Sequence, residues 1–467
     1  VTPIRLASCA IAIGLLFLSK YGAVIVLPML LLMALVRALD PEPLVVGLAG
    51  TRSAERAGGK LAVLCGVLLL AGAVTLVMIW AAYGFAFRAT HGASTPYNWA
   101  RVEALHSVAS RLVLLARDLR ILPETWLYGL GYTFATIQGR VGFLNGAFRT
   151  TGWWWYFPYA VAIKTPLGTL GVMALAALGA LAPWLAGHRD SSRHAGWIAV
   201  RRTAPLWILL VVYWAASLAS HINIGLRHVL PTVAPAFVLA GSAVRFGSRR
   251  AGRVLLLGLL AATGVESAMI RPDYLAYFNV FGGGPDHGYR HLVDSNLDWG
   301  QDLPGLARWL VARREEGDAR PCYLAYFGSA LPAGHGVDCR PLPSFFDLRG
   351  SAPYPALEPG IYAVSATMLQ SLHVPAEIQG AWTPEREQRL AQVGQALETM
   401  GGDDPRHAAA ERLYARLRFA RLMAALRERE PDARIGHSIL IYDLDERALA
   451  TALGGPLRAL GASAPRR

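Results

Sequence analysis

Charge is scarce in this chain of 467 residues: Asp, Glu, Lys and Arg together make up 16% of it, against 54% apolar residues. One soluble core does not need that much apolar material, so the composition points to a membrane protein. Lysine is rarer still, confined to Lys20, Lys60 and Lys164 among 45 basic residues, which leaves 42 arginines. Arginine is therefore the default cation, and each lysine is an exception that carries information. The net charge of +13 is scattered among apolar runs and short loops, without a basic stripe interleaved with aromatics, and this excludes nucleic acid as a partner. Only four cysteines occur, and none has the spacing of a metal site. Cys9 and Cys65 fall in apolar runs as packing residues, whereas Cys322 and Cys339 lie in a polar tail and can pair if that tail is outside the cytoplasm. Internal repeats and long low-complexity linkers are absent.

Seven apolar runs of helical length are present: residues 6–18, 21–36, 61–83, 156–185, 205–219, 229–244 and 254–270. Several fall short of the ~20 residues that a straight span needs, as expected of helices that line a cavity inside protein. The first two read as a tight helical pair turning at Ser19, Lys20 and Tyr21. Arg37, Arg52, Arg56 and Lys60 share one short loop, Arg189, Arg193, Arg201 and Arg202 the next, and Arg245, Arg249, Arg250 and Arg253 a third. These alternate loops are expected in the cytoplasm. The expected fold is thus a polytopic α-helical membrane protein of about seven helices, with residues 1–270 as the transmembrane domain and 84–155 as a long outer loop. Residues 271–467 form an extracytoplasmic α/β domain, because strand-like runs (322–327, 361–365, 438–442) alternate there with helical ones (303–314, 384–400, 406–430). The outer loop carries an amphipathic helix at 100–122, then a Gly- and aromatic-rich stretch ending in Trp153, Trp154 and Trp155. Such a cluster reads first as an interfacial aromatic belt and second as a sugar-stacking surface.

Four sites put charge where charge is costly. Lys20 sits between two apolar helices, and Lys164 lies inside a hydrophobic run that Pro166 should distort; each either snorkels to the headgroups or lines a cavity as a compact phosphate-binding charge. A turn, His221-Ile222-Asn223-Ile224-Gly225-Leu226-Arg227-His228, offers Arg227 as a bidentate phosphate ligand or as an interfacial anchor. The most distinctive stretch runs from Tyr277-Phe278-Asn279 to Leu303. Within it, Asp294, Asn296, Asp298, Trp299 and Gln301 make a loop rich in carboxylates and amides, suited to sugar hydroxyls or to a divalent cation. The spacing is not that of an EF-hand, so no metal ligand and no certain cofactor is assigned. Asp298 or Asp302 is expected to cap the helix that starts at Leu303.

These motifs resemble the bacterial phospholipid-carrier-dependent glycosyltransferases of the GT-C superfamily, the dolichyl-phosphate-mannose protein mannosyltransferase type. The resemblance rests on Leu18-Ser19-Lys20-Tyr21, on 152–158 with Lys164-Thr165-Pro166-Leu167, on Gly225-Leu226-Arg227 with Pro231, and above all on 292–303. It covers residues 6 to about 373. It implies a bacterial plasma-membrane enzyme that takes a sugar from a polyprenyl-phosphate carrier and gives it, by inverting displacement, to a glycan, lipid or protein acceptor on the outer face. It also implies that Lys20, Lys164 and Arg227 meet the lipid phosphate. The family's acidic base lies in a first outer loop, while this chain has no acidic residue before Asp40; the expectation is that the base lies upstream of Val1. Two other classes fit the same features: a transporter or flippase that binds a lipid phosphate without chemistry, and a non-catalytic assembly factor.

Overall fold

The computed structural model describes residues 1–47, 51–88, 97–137, 140–185, 198, 201–345, 355–375 and 377–454. Arg189 and Arg193 of the second basic loop lie outside them. The chain is mostly helical and divides into two compact units, the first made of Val1–Arg140, Met173–Ile222 and Val229–Ser248, the second of Val141–Val172, Asn223–His228 and Arg249–Arg467. The expected domain boundary at residue 270 falls inside the second unit.

Among the described residues, four helices are long and apolar enough to cross a membrane: Tyr21–Leu39, Ala57–Ala82, Leu226–Ser248 and Arg250–Met269. A fifth crossing is available if Tyr156–Lys164 and Leu167–Leu181, bent by 116° at their junction, count as one span. Pro3–Ser19 and Ala204–Leu218 are apolar but shorter. At ~1.5 Å per residue, the helix Ala57–Ala82 reaches about 39 Å, enough for a hydrocarbon core of ~30 Å. Its Leu69 and Val77 are exposed, and Arg250–Met269 buries none of its residues. Apolar side chains turned outward over whole helices are unfavourable in water and suited to lipid.

In the first unit, the chain breaks at Lys20, whose backbone is extended between Pro3–Ser19 and the short 3-10 helix Tyr21–Ile25. The turn is where the sequence puts it, but the helices on either side of it pack against Ala57–Ala82. The first basic loop contains a feature that charge counting misses, an antiparallel hairpin of β1 (Leu44–Gly47) and β2 (Thr51–Ala54). Nearby, Lys60 is buried and donates to the Asp40 carbonyl, while Arg201 pairs with the Asp40 carboxylate at 2.7 Å. The amphipathic stretch 100–122 is two helices, Ala100–Glu103 and Val108–Asp118, because Ser107 and Ser110 form a reciprocal capping box that starts the second. The Gly- and aromatic-rich region that follows is helical over Glu124–Ile137. Trp126, Leu127 and Leu130 from that helix pack with Ile79 and Val113 in this unit's core.

In the second unit, the hairpin β3 (Gly142–Leu144) and β4 (Ala147–Arg149) precedes the helix Tyr156–Lys164. The sharp bend after that helix follows from Pro166. Proline has no N–H to give to the carbonyl four residues back, that of Ala162. Asn279 supplies the missing donor: its Nδ2 gives hydrogen bonds to Ala162 O at 2.7 Å and Thr165 O at 2.9 Å, and its backbone N–H donates to Ile163 O at 2.9 Å. Leu167 N–H, freed by the same break, donates to Glu266 Oε2 at 3.1 Å. The carbonyls of Ala162, Ile163 and Thr165 and the N–H of Leu167 thus have partners at the bend, as an apolar surrounding favours. Glycine at 168 lets the helices touch, since a Cβ there would lie 2.0 Å from Leu259 O.

The rest of this unit is a five-stranded sheet in the order β6-β5-β7-β9-β8, with β5 (Cys322–Ala325), β6 (Arg340–Pro341), β7 (Gly360–Ser365), β8 (Ala433–Ile435) and β9 (Ile439–Leu444). β5 is parallel to β6 and β7, while β9 is antiparallel to β7 and β8. Leu303, Leu306 and Leu310 of the helix Leu303–Glu315 pack on Leu324, Ile361, Ala363, Ile439 and Ile441. Tyr323, Tyr362, Leu440 and Tyr442, which point the other way, are buried as well. The strands and helices read from the sequence of this region are all present, joined by β6, β8 and the helix Glu446–Gly454.

Cys322 and Cys339 form a disulfide across 17 residues, tying the start of β5 to the segment before β6. Closing a loop of that size removes unfolded-state entropy worth about 3 kcal/mol. Cys322→Ser with Cys339→Ser is therefore expected to lower stability by about 3 kcal/mol in denaturant unfolding of the purified protein, and reducing agent to lower the wild type to the same value.

Candidate functional site

The stretch the sequence marks as most distinctive is the centre of the second unit's polar architecture. Residues 292–298 are buried despite two aspartates, a serine and an asparagine. Asn296 and Gly300 predict a loop, and a loop is what forms: short 3-10 turns at Gly288–Arg290 and Asp294–Asn296, then an Asx turn in which Gly300 N–H donates to Asp298 Oδ1 at 3.0 Å. Asp302 occupies the N-cap of the helix from Leu303 but does not cap it with its side chain. Its carboxylate accepts instead from Ser438 Oγ at 2.5 Å and from Gln301 Nε2 at 3.1 Å, which corrects the capping expectation.

Asn296, 1% exposed, uses all of its amide. Oδ1 accepts the Leu226 N–H at 2.9 Å, and Nδ2 donates to Tyr156 Oη at 2.9 Å and to Val293 O at 3.1 Å. Ser295 Oγ donates to Ile224 O at 2.8 Å. The loop is so close that a Cβ on Gly225 would lie 2.1 Å from that hydroxyl, which is why glycine stands there. Asn223 closes the other side, accepting the Trp153 N–H at 2.5 Å. Ile224 and Leu226 are therefore gripped by Ser295 and Asn296, and Asn223 by Trp153.

Lys164 supports this grip from beneath. Its ammonium donates to Leu275 O at 2.9 Å and to Asn296 O, and it lies 4.1 Å from the centroid of the Phe278 ring. Two of its three N–H directions are thereby taken by backbone, and the third region faces an aromatic ring. Its geometry is that of a structural clamp.

Arg227 is the opposite case. It is exposed, its guanidinium sits 4.7 Å from the centre of the Trp299 ring, and it makes no ion pair or hydrogen bond among the described residues. Trp299 itself is 50% exposed. Its backbone N–H donates to Gln301 Oε1 at 2.8 Å, and the Gln301 amide returns a bond to Leu297 O at 3.1 Å. Gln301 thus spends its polar atoms on the loop that carries the tryptophan. Lys20, the third expected phosphate ligand, belongs to the first unit, where it is exposed. Of the tryptophan cluster, Trp153 is buried and Trp154 is 71% exposed.

Protein-family models, curated proteins and solved structures were compared with this chain, and none matches.

Asp298 is fully buried, and one of its oxygens, Oδ2, has no well-formed hydrogen bond among the described residues, with Thr367 beside it. Burial pushes its pKa up to about 8, opposed by the Gly300 N–H and by Thr367 and assisted by the charge of Asp302. Asp302 is raised to about 6, again mainly by burial. Both folded pKa values exceed the ordinary 3.8, so their protonated forms favour folding. That contribution is complete below about pH 4 and is lost as pH rises through about 6 and then 8. Asp298→Asn is expected to flatten the upper part of this decline in thermal-unfolding midpoints measured from pH 5 to 9. An unchanged slope in that variant would mean that Asp298 is ionised throughout.

Sequence reasoning misses the partners brought in by the sheet. Thr367 and His373 follow the C-terminal end of β7, and Tyr326 and Phe327 that of β5; Asp294 N–H donates to Thr367 Oγ1 at 3.1 Å, Tyr326 Oη donates to Gly300 O at 2.8 Å, and His373 Nε2 is 2.6 Å from Asp294 Oδ2. No spacing links residue 294 to residue 373; only parallel pairing of β5 and β7 sets both strand ends against the loop. Among the described residues, no group of three or more His, Cys, Asp and Glu side chains is placed to hold a metal ion.

Proposed function

We propose that the chain is a GT-C-like membrane glycosyltransferase. It takes a sugar from a polyprenyl-phosphate carrier and transfers it to a glycan, lipid or protein acceptor on the outer face of a bacterial plasma membrane. In this reading all seven apolar helical segments cross or enter the bilayer, and the α/β region lies outside the cytoplasm, where a disulfide persists. The observation that carries it is Arg227: an exposed guanidinium over an exposed tryptophan ring, without a carboxylate partner among the described residues, on a loop fixed by hydrogen bonds from Ser295 and Asn296. Such a cation is organised in advance for a phosphate, which a guanidinium meets through two parallel hydrogen bonds. Its charge would stabilise the polyprenyl phosphate as it leaves the anomeric carbon. The neighbouring ring offers a stacking face to a sugar or an apolar lipid segment.

Lys164 takes a different part from the one its rarity suggests. It acts as a positioning residue, holding Asn296 and through it the Arg227 loop. The test is transfer of labelled sugar from hexosyl undecaprenyl phosphates by the protein in membranes. Time-dependent loss of label from the carrier, with its appearance in a water-soluble or glycolipid product, supports the reading. A carrier that crosses the membrane with its sugar intact favours a flippase, for which the broken helix at Thr165–Pro166 is the supporting feature.

A further inference from the structure

The helix Val108–Asp118 is built inside out for a segment standing in water. Val108, Leu112, Leu115 and Leu119 recur at i, i+4, i+7 and i+11, which is one face of a helix, and Leu119 keeps helical backbone angles as the C-cap. All four are more than half exposed. Polar groups are turned the other way: Ser110 is buried and closes the capping box with Ser107, while Arg117 pairs with Glu103 and Asp118 and lies 4.8 Å from the centre of the Trp99 ring. A row of four large aliphatic side chains left open is unfavourable in water and suited to an apolar solvent.

What covers the row follows from where the helix is fastened. Val113, on its inward side, packs with Ile79, Leu122 and Trp126, and Tyr83 joins that cluster. Trp80 Nε1 donates to Ile121 O at 3.0 Å. Ile79 and Trp80 belong to the last turn of the span Ala57–Ala82, which turns Leu69, Leu76 and Val77 outward along its length. At ~1.5 Å per residue, Val77 lies only ~3 Å along the axis from Ile79. The amphipathic helix is thus held within about one helix diameter, ~10 Å, of the level where the lipid-suited surface of the span runs out. Phe85 and Ile121, just past the ends of the two helices, are exposed as well. The chemistry beside the row is that of a membrane surface. Arg111, exposed, borders it, and its guanidinium makes no ion pair or hydrogen bond among the described residues. Arg120 is exposed over the Phe87 ring at 5.4 Å, and Trp99 packs edge-on to Tyr128 at 5.3 Å. Arginines suit headgroup phosphates, and tryptophan and tyrosine suit the boundary between headgroups and acyl chains.

We infer that Val108–Asp118 is an interfacial helix, lying in the membrane surface at which the span Ala57–Ala82 ends. Val108, Leu112, Leu115 and Leu119 enter the acyl region, and Arg111 meets the lipid phosphates. The apolar face of such a helix sinks ~5–10 Å into the boundary between headgroups and acyl chains. The partner is the bilayer, because the row is fastened to a span that already needs lipid and is bordered by a cation that matches a phosphate headgroup. The segment that follows this span is therefore held at the membrane surface and does not stand free in water.

The test places nitroxide labels on the whole chain in nanodiscs of phosphatidylcholine and phosphatidylglycerol, singly at Leu112→Cys and Leu115→Cys, with Cys9 and Cys65 replaced by alanine. Leu69→Cys, exposed in the middle of the span, gives the lipid reference, and Glu315→Cys, exposed on the helix Leu303–Glu315, gives the water reference. Collisions with oxygen are expected to exceed those with a water-soluble nickel chelate by about threefold or more at 112 and 115, as at 69, with the reverse at 315. Nickel accessibility at 112 and 115 equal to that at 315 would overturn the assignment, since the row would then face water. Low collision rates with both reagents would overturn it too, because a second copy or another protein would then cover the row. Both leucines are exposed, so their replacement spares the core. Leu112→Gln with Leu115→Gln is accordingly expected to raise amide hydrogen exchange over residues 108–119 by about tenfold or more in nanodiscs, with exchange over 124–137 unchanged. Unchanged exchange over 108–119 in that double variant would count against the interfacial helix.

Discussion

Arg227→Ala is expected to weaken binding of undecaprenyl phosphate by about 10- to 100-fold and to leave thermal stability unchanged. The first half follows from what the guanidinium offers, namely charge-assisted hydrogen bonds worth about 1.5–3 kcal/mol, at ~1.4 kcal/mol per tenfold in affinity. The second half follows from exposure: Arg227 contacts the Trp299 ring and contributes no buried polar bond. Arg227→Lys should recover only part of the loss, because an ammonium keeps the charge but neither the planar fork nor the stacking on Trp299. Trp299→Ala should behave like a weaker Arg227 variant, since it frees the guanidinium to sample other directions. Binding can be measured with labelled lipid in nanodiscs and stability by thermal unfolding. Equal affinity in wild type and Arg227→Ala would end the phosphate assignment.

Lys164→Met should have the reverse balance, with stability falling first and binding as a consequence. Methionine matches the apolar stem and removes three N–H donors, stranding the carbonyls of Leu275 and Asn296. A buried acceptor left without a partner costs about 1–3 kcal/mol, and two are affected. The Asn296 carbonyl is the sensitive one, because the same residue holds Leu226, Tyr156 and Val293. A lysine that touched the lipid phosphate would instead give a variant of normal stability and poor binding. Unfolding and binding assays on Lys164→Met and Arg227→Ala together thus separate a clamp from a ligand.

The contrast between these two cations shows what can be read from the sequence. That Lys164 is unusual is legible, since one of only three lysines stands inside an apolar run. Its partners are not legible, because they lie 111 and 132 residues further along and are backbone carbonyls, which any residue type can supply. Pro166 announces a bend, and the bend is there; that Asn279 would fill the hydrogen bond the proline deletes requires the fold. The α/β elements are readable because short continuous apolar runs, suited to strands buried on both faces, alternate with longer helical stretches. The hairpin in the first basic loop is not, since four-residue strands leave no period to detect. Asp294, Asn296, Asp298, Trp299 and Gln301 stand out by density of polar groups. Their separate duties do not: Asn296 and Gln301 hold the loop, Trp299 carries Arg227, and Asp294 meets a histidine that no motif singles out.

The most direct test of this arrangement is where a lipid phosphate touches the chain. An undecaprenyl phosphate with a photoreactive group next to its phosphate, cross-linked in nanodiscs and mapped by peptide mass spectrometry, should label residues 223–228 and 294–301, and Arg227→Ala should abolish that labelling. Saturable cross-linking confined to other segments, unaffected by Arg227→Ala, would contradict it.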